Sequence, residues 1–522
     1  MSAESGIYKD SVGYSADRQP LLSRPKISRR PLPRLTQISA PHTLMQQTMF
    51  SLIDSTVAEL TEALGSKKVS PGELVRAHLD RIRQLQPKLN AITHLDPESA
   101  LAEARAAEQK IQRHEPLGPL HGIPLTVKSC IDVRGWPTPA GSLVRRSEVA
   151  TKDAALVCRL RSAGAILLGN TNTPEFLMNY ETDNLLQGKT SNPWNVAYSA
   201  GGSSGGEASA ISSGCSVAGI GSDGGGSIRV PAHFCGICGL KPTPGRVPGA
   251  GHFPAEHEFF PWLGVVGPMA RTVADLGSVF AVVADSAPRN RPSVPDPAKM
   301  PAPENLRGLR IGILEEENTL GRPTPGTRAA VQQAAKLFEQ LGLAVDSFQS
   351  RNFSELLDQA LDLWWFFFGP AIAHLYRNDY RGQESRFSPM LNDYFRAAET
   401  SAAPDAEQIL GARAARDVLQ RKILQALKEI PLLLSPVCLG PAFQHGEGHW
   451  RESSGYRATM RHCQWLNLAG LPALALPMRM SPEGLPIGIQ LIAHPNQEEL
   501  LLSAAALLEK ARGPWQLPPA QL

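Results

Sequence analysis

Residues 200–246 read AGGSSGGEASAISSGCSVAGIGSDGGGSIRVPAHFCGICGLKPTPGR. No other stretch of the chain is so dense in Gly and Ser. Two clusters, 201–206 and 224–227, frame a run of small and apolar residues. Glycine lets main chain approach a ligand closely, and a serine hydroxyl can attack or relay a proton. The pattern predicts a catalytic floor of backbone N–H groups and hydroxyls.

Strand-like and helix-like segments alternate on both sides of this floor. Upstream, Ser70-Pro71-Gly72-Glu73 is a capping box with Pro at the first helical position. It opens a helix whose Leu74, Val75, Leu79, Ile82 and Leu85 share one face. A second helix is predicted over 99–113. The apolar run 123–127 predicts a buried strand with Lys128 at its carboxyl end, where α/β sheets bind ligands. Helix over 152–163 and strand over 165–168 follow, then helix near 205–213 and strand near 216–221. Downstream, strands are predicted at 309–314, 344–348 and 432–436, and helices at 327–341, 405–428 and 498–511. Residues 467–493 read as two strands joined by a turn at 481–484. This alternation implies an α/β fold: a single large domain with a mixed, mostly parallel β-sheet covered by helices on both faces.

Composition narrows the partners. The chain has 522 residues, 42% hydrophobic and 19% charged, with net charge +3. A large core is available, and nothing in the charge suggests nucleic acid or a membrane surface. No apolar run reaches the length of a bilayer span, so no permanent membrane insertion is expected. Seven scattered cysteines make no disulfide framework and suggest a reducing, cytoplasmic setting. Residues 1–49 differ from the rest. Between Arg18 and Met49 there are six Arg or Lys and no acid, with prolines at 20, 25, 31, 33 and 41. They read as a basic, disordered tail or an upstream extension preceding a start at Met45 or Met49. A transit peptide is the alternative, disfavoured by the prolines. The ordered domain is expected over 50–517.

The chemistry requires a base for the serines. Lysine is protonated at neutral pH, near its reference pKa of about 10.4, but burial can lower that value by several units. A neutral Lys128 could then take a proton from serine, as Ser–Lys variants of the hydrolytic triad do. A lone lysine or serine would carry little weight; the joint pattern carries it.

That pattern, GGSSGGEASA…GSDGGGSIRVPA…CGICGLKPTPGR, resembles the signature of the amidase signature family. Lys128 precedes Ser203 by 75 positions, and Ser203 precedes Ser227 by 24. GIPLTVK, YETDN, SNPWN, GPMARTVADL, NLAGLPALALP and GLPIGIQLI fit the same order, so the resemblance covers about residues 51–512. It implies a Ser-Ser-Lys triad without cofactor or metal. Ser227 would be the nucleophile, Ser203 a bridging serine after a cis peptide from Gly202, and Lys128 the base. Backbone N–H groups of Gly224, Gly225, Gly226 and Ser227 would form the oxyanion hole. Leu177 and Met178 are candidates for the substrate channel, and Ser204, next to Ser203, is counted with them as substrate-binding through a supporting hydrogen bond rather than a primary role. Asp223 and Arg229 would anchor the loop electrostatically. Three departures stand out: Ser129-Cys130 where an acid and Asn are common, Ala200 for Pro, and Gly224 for Thr or Ile. None removes a triad member.

Other signals are weaker. Cys235 and Cys238 have redox spacing, but nothing completes a metal site. The glycine loop lacks the lysine of a phosphate-binding loop. The aromatics Trp364 to Phe368 fit a buried core helix better than an acyl or aryl pocket. The implied function is hydrolysis of a small-molecule amide through an acyl-enzyme on Ser227. Glu207 and the GHFP segment ending at Pro254 look more like stand-alone amidases and fatty acid amide hydrolases. The alternatives are the glutaminase subunit of a tRNA-dependent amidotransferase and a non-catalytic scaffold. The resemblance leaves room for a homodimer.

Overall fold

Lys128 and the central Gly/Ser stretch meet because two parallel strands end side by side. The computed structural model describes residues 52–254, 263–284, 306–314, 321–350, 352–399, 403–447 and 460–519. All lie within one unit, Gln47–Leu522. The basic stretch 1–49 falls outside the described residues. Eleven strands form one sheet: β1 Ile92–Leu95, β2 Pro124–Lys128, β3 Ile166–Thr171, β4 Ala218–Asp223, β5 Cys238–Lys241, β6 Val265–Ala270, β7 Arg310–Leu314, β8 Ala344–Phe348, β9 Leu432–Pro436, β10 Ala473–Met480 and β11 Pro486–Ala493. Their order is β1-β3-β2-β4-β6-β5-β10-β11-β9-β7-β8.

The sheet is mixed, as the alternating pattern predicts, but the expected predominance of parallel pairs is corrected. Four neighbouring pairs are parallel and six antiparallel. The antiparallel pairs concentrate in the middle, where β6 runs against both β4 and β5. There β10 and β11 form a hairpin closed at Ser481–Gly484, without a crossover helix.

The parallel part positions the site. β2 lies between β3 and β4, parallel to both. All five residues of β2 and all six of β4 are buried, as a strand covered on both faces requires. Lys128 therefore ends one strand and Asp223 the next, at the same edge of the sheet.

Helices pack as their sequences dictate. The Ser70 hydroxyl accepts from the Glu73 N–H at 3.1 Å, and the Glu73 carboxylate accepts from the Ser70 N–H at 2.9 Å. The helix they open, Pro71–Leu89, buries Val75, Leu79, Ile82 and Leu85 against the helix Pro97–Gln112 and β3. Each such side chain contributes roughly 1.5–3 kcal/mol. The helix predicted over 152–163 is shorter, Ala155–Ser162, because the Asp153 carboxylate instead accepts from the Arg134 N–H at 2.8 Å. The helix Gly205–Ser212 is buried at all eight positions, and all but Glu207 and Ile211 are Gly, Ala or Ser. No described helix is long and apolar enough to cross a membrane.

Candidate active site

Lys128 is fully buried, and its Nζ lies 2.6 Å from Ser203 Oγ and 3.1 Å from Ser222 Oγ. Burial pulls the amine down to about 8, while Cys130, Asp223 and Glu207 act in the opposite direction. Glu207, buried beneath β2, is pushed up to about 7 by desolvation, against hydroxyl contacts from Thr126 and Thr171. It faces the strands rather than the cavity.

The expected cis peptide joins Gly202 to Ser203. Ser203 and Ser227 line one narrow cavity with Ser222, Leu177, Met178, Phe368 and Ile372. An adjoining cavity shares Leu177, Met178, Ser227 and Phe368, and adds Tyr180, Gly225 and Trp364. Ser227 is 8% exposed, and its hydroxyl has no hydrogen-bond partner among the described residues. The structure thus gathers Lys128, Ser203 and Ser227 at one place and puts Leu177 and Met178 on its wall.

Ser204 does not belong to that wall. Its hydroxyl donates to the Ser222 carbonyl at 3.2 Å and accepts from the Ser222 N–H at 3.3 Å. A substrate-binding role for Ser204 is therefore corrected to the supporting bond alone: it holds the backbone of Ser222, which in turn touches Lys128.

The loop after β4 is pinned peptide by peptide. Asn467 Nδ2 donates to the Asp223 carbonyl at 3.0 Å, Trp364 Nε1 to that of Gly224 at 2.9 Å, and the Tyr180 hydroxyl to that of Gly225 at 2.8 Å. The Val230 N–H donates to the Gly226 carbonyl at 2.7 Å. In a trans peptide the N–H points opposite to the C=O. Each contact therefore also aims the N–H of the next residue. The N–H groups of Gly224, Gly225 and Ser227 are left without partners among the described residues. That of Gly226 donates to Asp223 Oδ1 at 2.7 Å. Gly226 is thus committed to the loop, a correction to the expected donor set. Its φ of +124 still calls for glycine.

Asp223 and Arg229 hold this loop as expected. Both are fully buried, with Arg229 Nε and Nη2 each donating at 3.0 Å to the carboxylate. Burial alone would raise the Asp223 carboxyl, but the Arg229 guanidinium holds it well below its ordinary value. Asn467 completes the cluster by donating to Asp223 Oδ1 at 3.0 Å and accepting from Arg229 at 2.7 Å.

Sequence reasoning passed over Ser222 and Tyr180 as site residues, and preferred a buried core helix to a pocket for Trp364 to Phe368. Tyr180 opens YETDN and Asn467 opens NLAGLPALALP, so both lie in family motifs that by themselves assign no task. The aromatic run does two jobs. Phe367 and Trp364 are both buried in one core cluster, and Trp364 also stacks on Phe368 at 4.9 Å and lines the cavity with it. A π-helical turn, Phe367–Ala371, follows the helix Phe353–Phe366 and lets neighbouring rings face different ways. Cys235 and Cys238 are buried, with thiols raised by desolvation, and no described cluster of His, Cys, Asp or Glu could hold a metal ion. A wider cavity lies under the C-terminal segment beside Arg271 and Trp515. Its Ser212 hydroxyl is spent on the Cys235 carbonyl at 2.7 Å, so it offers no counterpart to the arrangement around Lys128.

Residues 73–502 match the family model described as Amidase. The chain is 33% identical over 485 residues to a glutamyl-tRNA(Gln) amidotransferase subunit of Synechococcus sp. (strain CC9605), covering 88% of this chain and 96% of that protein. Among solved structures it is similar to 6-aminohexanoate cyclic dimer hydrolase in complex with substrate. That match has a TM-score of 0.78 at 27% identity and covers 90% of this chain and 99% of the other. It is also similar to native peptide amidase from Stenotrophomonas maltophilia, with a TM-score of 0.76 at 27% identity, over 90% of this chain and 99% of the other.

Proposed function

This chain belongs to the amidase signature family, an enzyme family that hydrolyses carbon–nitrogen amide bonds, and from that premise we propose that it works through Lys128, Ser203 and Ser227. The observation that carries the proposal is the buried Lys128 amine 2.6 Å from Ser203, which shares its cavity with Ser227. Neutral Lys128 accepts the Ser203 proton while Ser203 accepts the Ser227 proton. The Ser227 oxygen then bonds to the amide carbon. The carbonyl electron pair moves onto oxygen, under the N–H groups of Gly224, Gly225 and Ser227. Such a donor is worth about 3–4 kcal/mol of barrier. Collapse of this intermediate breaks the C–N bond, and the proton held by Lys128 returns through Ser203 to the leaving nitrogen. Water, deprotonated along the same path, attacks the ester carbon, the bond to Ser227 breaks, and the proton held by Lys128 returns through Ser203 to the Ser227 oxygen as the acid leaves.

The wall favours an amide with an apolar acyl or aryl group. Leu177, Met178, Trp364, Phe368 and Ile372 offer it carbon surface. A fluorophosphonate probe tests the nucleophile: it should label the native chain and leave Ser227→Ala unlabelled. Equal labelling of the variant would remove Ser227 from its role. A panel of aliphatic, aryl and amino-acid amides then tests the acyl preference.

A second reading is supported by the Synechococcus relative, matched over nearly its full length. In that case the chain would be the glutaminase component of an amidotransferase built from several different chains, and glutamine hydrolysis would rise when those partners are added. Robust hydrolysis of apolar amides by the purified chain alone favours the first reading.

A further inference from the structure

Besides Ser203, Lys128 has a second polar neighbour, from which a chain of four polar groups leads away. Ser222 Oγ lies 3.1 Å from Lys128 Nζ, and Cys130 Sγ lies 3.8 Å from Ser222 Oγ. His252 Nε2 lies 3.3 Å from Cys130 Sγ, and His252 Nδ1 lies 3.2 Å from the Pro254 carbonyl. Pro254 itself borders the cavity of Ser203 and Ser227. Cys130 occupies one of the positions where the sequence departs from the family pattern.

The chemistry of the far end sets the direction of the whole line. A carbonyl only accepts, so His252 Nδ1 carries the hydrogen and Nε2 is the bare nitrogen. Burial keeps the His252 imidazole neutral, down to about 3, and raises the Cys130 thiol. The thiol hydrogen therefore goes to His252 Nε2. Its sulfur is left to accept the Ser222 hydroxyl hydrogen, and the Ser222 oxygen accepts from Lys128. A neutral amine that spends one of its two hydrogens on Ser222 keeps its lone pair free to accept from its other neighbour, Ser203.

We propose that the line His252–Cys130–Ser222 orients the Lys128 amine, so that Cys130 and His252 are positioning residues for proton transfer although neither touches substrate. The inference rests on the reading of Lys128 as base. The charged or titratable groups facing Lys128 are Glu207, Asp223, Cys130 and His252. Asp223 is committed to Arg229 and Glu207 to two threonines. That leaves Cys130 and His252 in the line that reaches the amine through Ser222.

The test is the rate of fluorophosphonate labelling of the full chain on its alkaline plateau. Cys130→Ala and His252→Ala should each slow labelling about tenfold, the loss of one hydrogen bond to the reacting network. The double variant should be no slower than either single one, because the line is broken once in each case. Cys130→Ser keeps a donor and an acceptor and should recover most of the rate, which a packing role for sulfur would not give. Labelling of both single variants within twofold of the native chain, multiplied losses in the double variant, or Cys130→Ser no faster than Cys130→Ala would each overturn the proposal. A native chain that is not labelled at all would instead refute the reading of Ser227 as nucleophile.

Discussion

The Trp364 indole N–H donates to the Gly224 carbonyl at 2.9 Å across 140 positions of sequence. The same peptide plane carries the Gly225 N–H on its opposite side, so an aromatic side chain aims a backbone donor that it does not touch. Tyr180 acts likewise one residue on, turning the Gly226 N–H toward Asp223, and is itself steadied by Gln464 Nε2 at 3.1 Å.

Removing either donor while leaving an aromatic ring in place tests this effect. Trp364→Phe should lower kcat about tenfold, the worth of one hydrogen bond of roughly 1–1.5 kcal/mol, whereas Tyr180→Phe, which releases a peptide whose N–H is already spent on Asp223, should cost less. KM should change little, because the apolar wall remains. Steady-state kinetics on an aryl amide would check both; a pure KM effect would assign these residues to binding alone.

Gly225 has no room for a side chain. A Cβ there would lie 2.6 Å from Trp364 Cζ2 and 3.0 Å from the Tyr180 oxygen. Gly225→Ala should therefore push the loop off both anchors and cost at least about 10²-fold in kcat, the scale of one lost oxyanion donor. Circular dichroism should show the fold intact. Near-native turnover would show that the loop tolerates displacement.

The pH profile follows from the Lys128 amine. It is inert while protonated, and burial brings its pKa down to about 8. The neutral fraction, and with it kcat/KM, should rise from neutral pH through that value and then level off. Lys128→Ala should remove roughly 10³-fold or more of the rate together with the alkaline rise. A native profile that stays flat from neutral to alkaline pH would count against this base.

Arg229 and Asp223 make the most committed ion pair among the described residues, both at 0% side-chain exposure. Arg229→Met would leave an unpaired buried carboxylate and should cost about 3–5 kcal/mol of stability, readable in urea unfolding. It should also slow labelling of Ser227, since Asp223 holds the N–H groups of Gly226 and Ile228 at 2.7 and 3.1 Å. An unchanged unfolding midpoint would show that the pair is replaceable by apolar packing.

The sequence alone determined the strands that end at the site, the helix caps and the trio of Lys128, Ser203 and Ser227. The first two are local: a capping box acts over three residues, and an apolar run of five reads as a buried strand wherever it lies. The trio was legible because amine and hydroxyl chemistry is written in residue types, and the resemblance set their order. The tertiary structure decided the rest. It showed which glycine N–H groups stay open, that Gly226 is spent on Asp223, and that Ser204 braces Ser222. It also gave Trp364, a core residue as expected, and Phe368 a face on the cavity. It paired β6 antiparallel with β4 and β5, where alternation of helix and strand suggested parallel neighbours. Peptide orientation, side-chain facing and strand direction all depend on partners hundreds of positions away, such as Asn467 against Asp223. No local pattern carries that information, because the contact exists only after β4 and the helix Arg461–Ala469 have packed together.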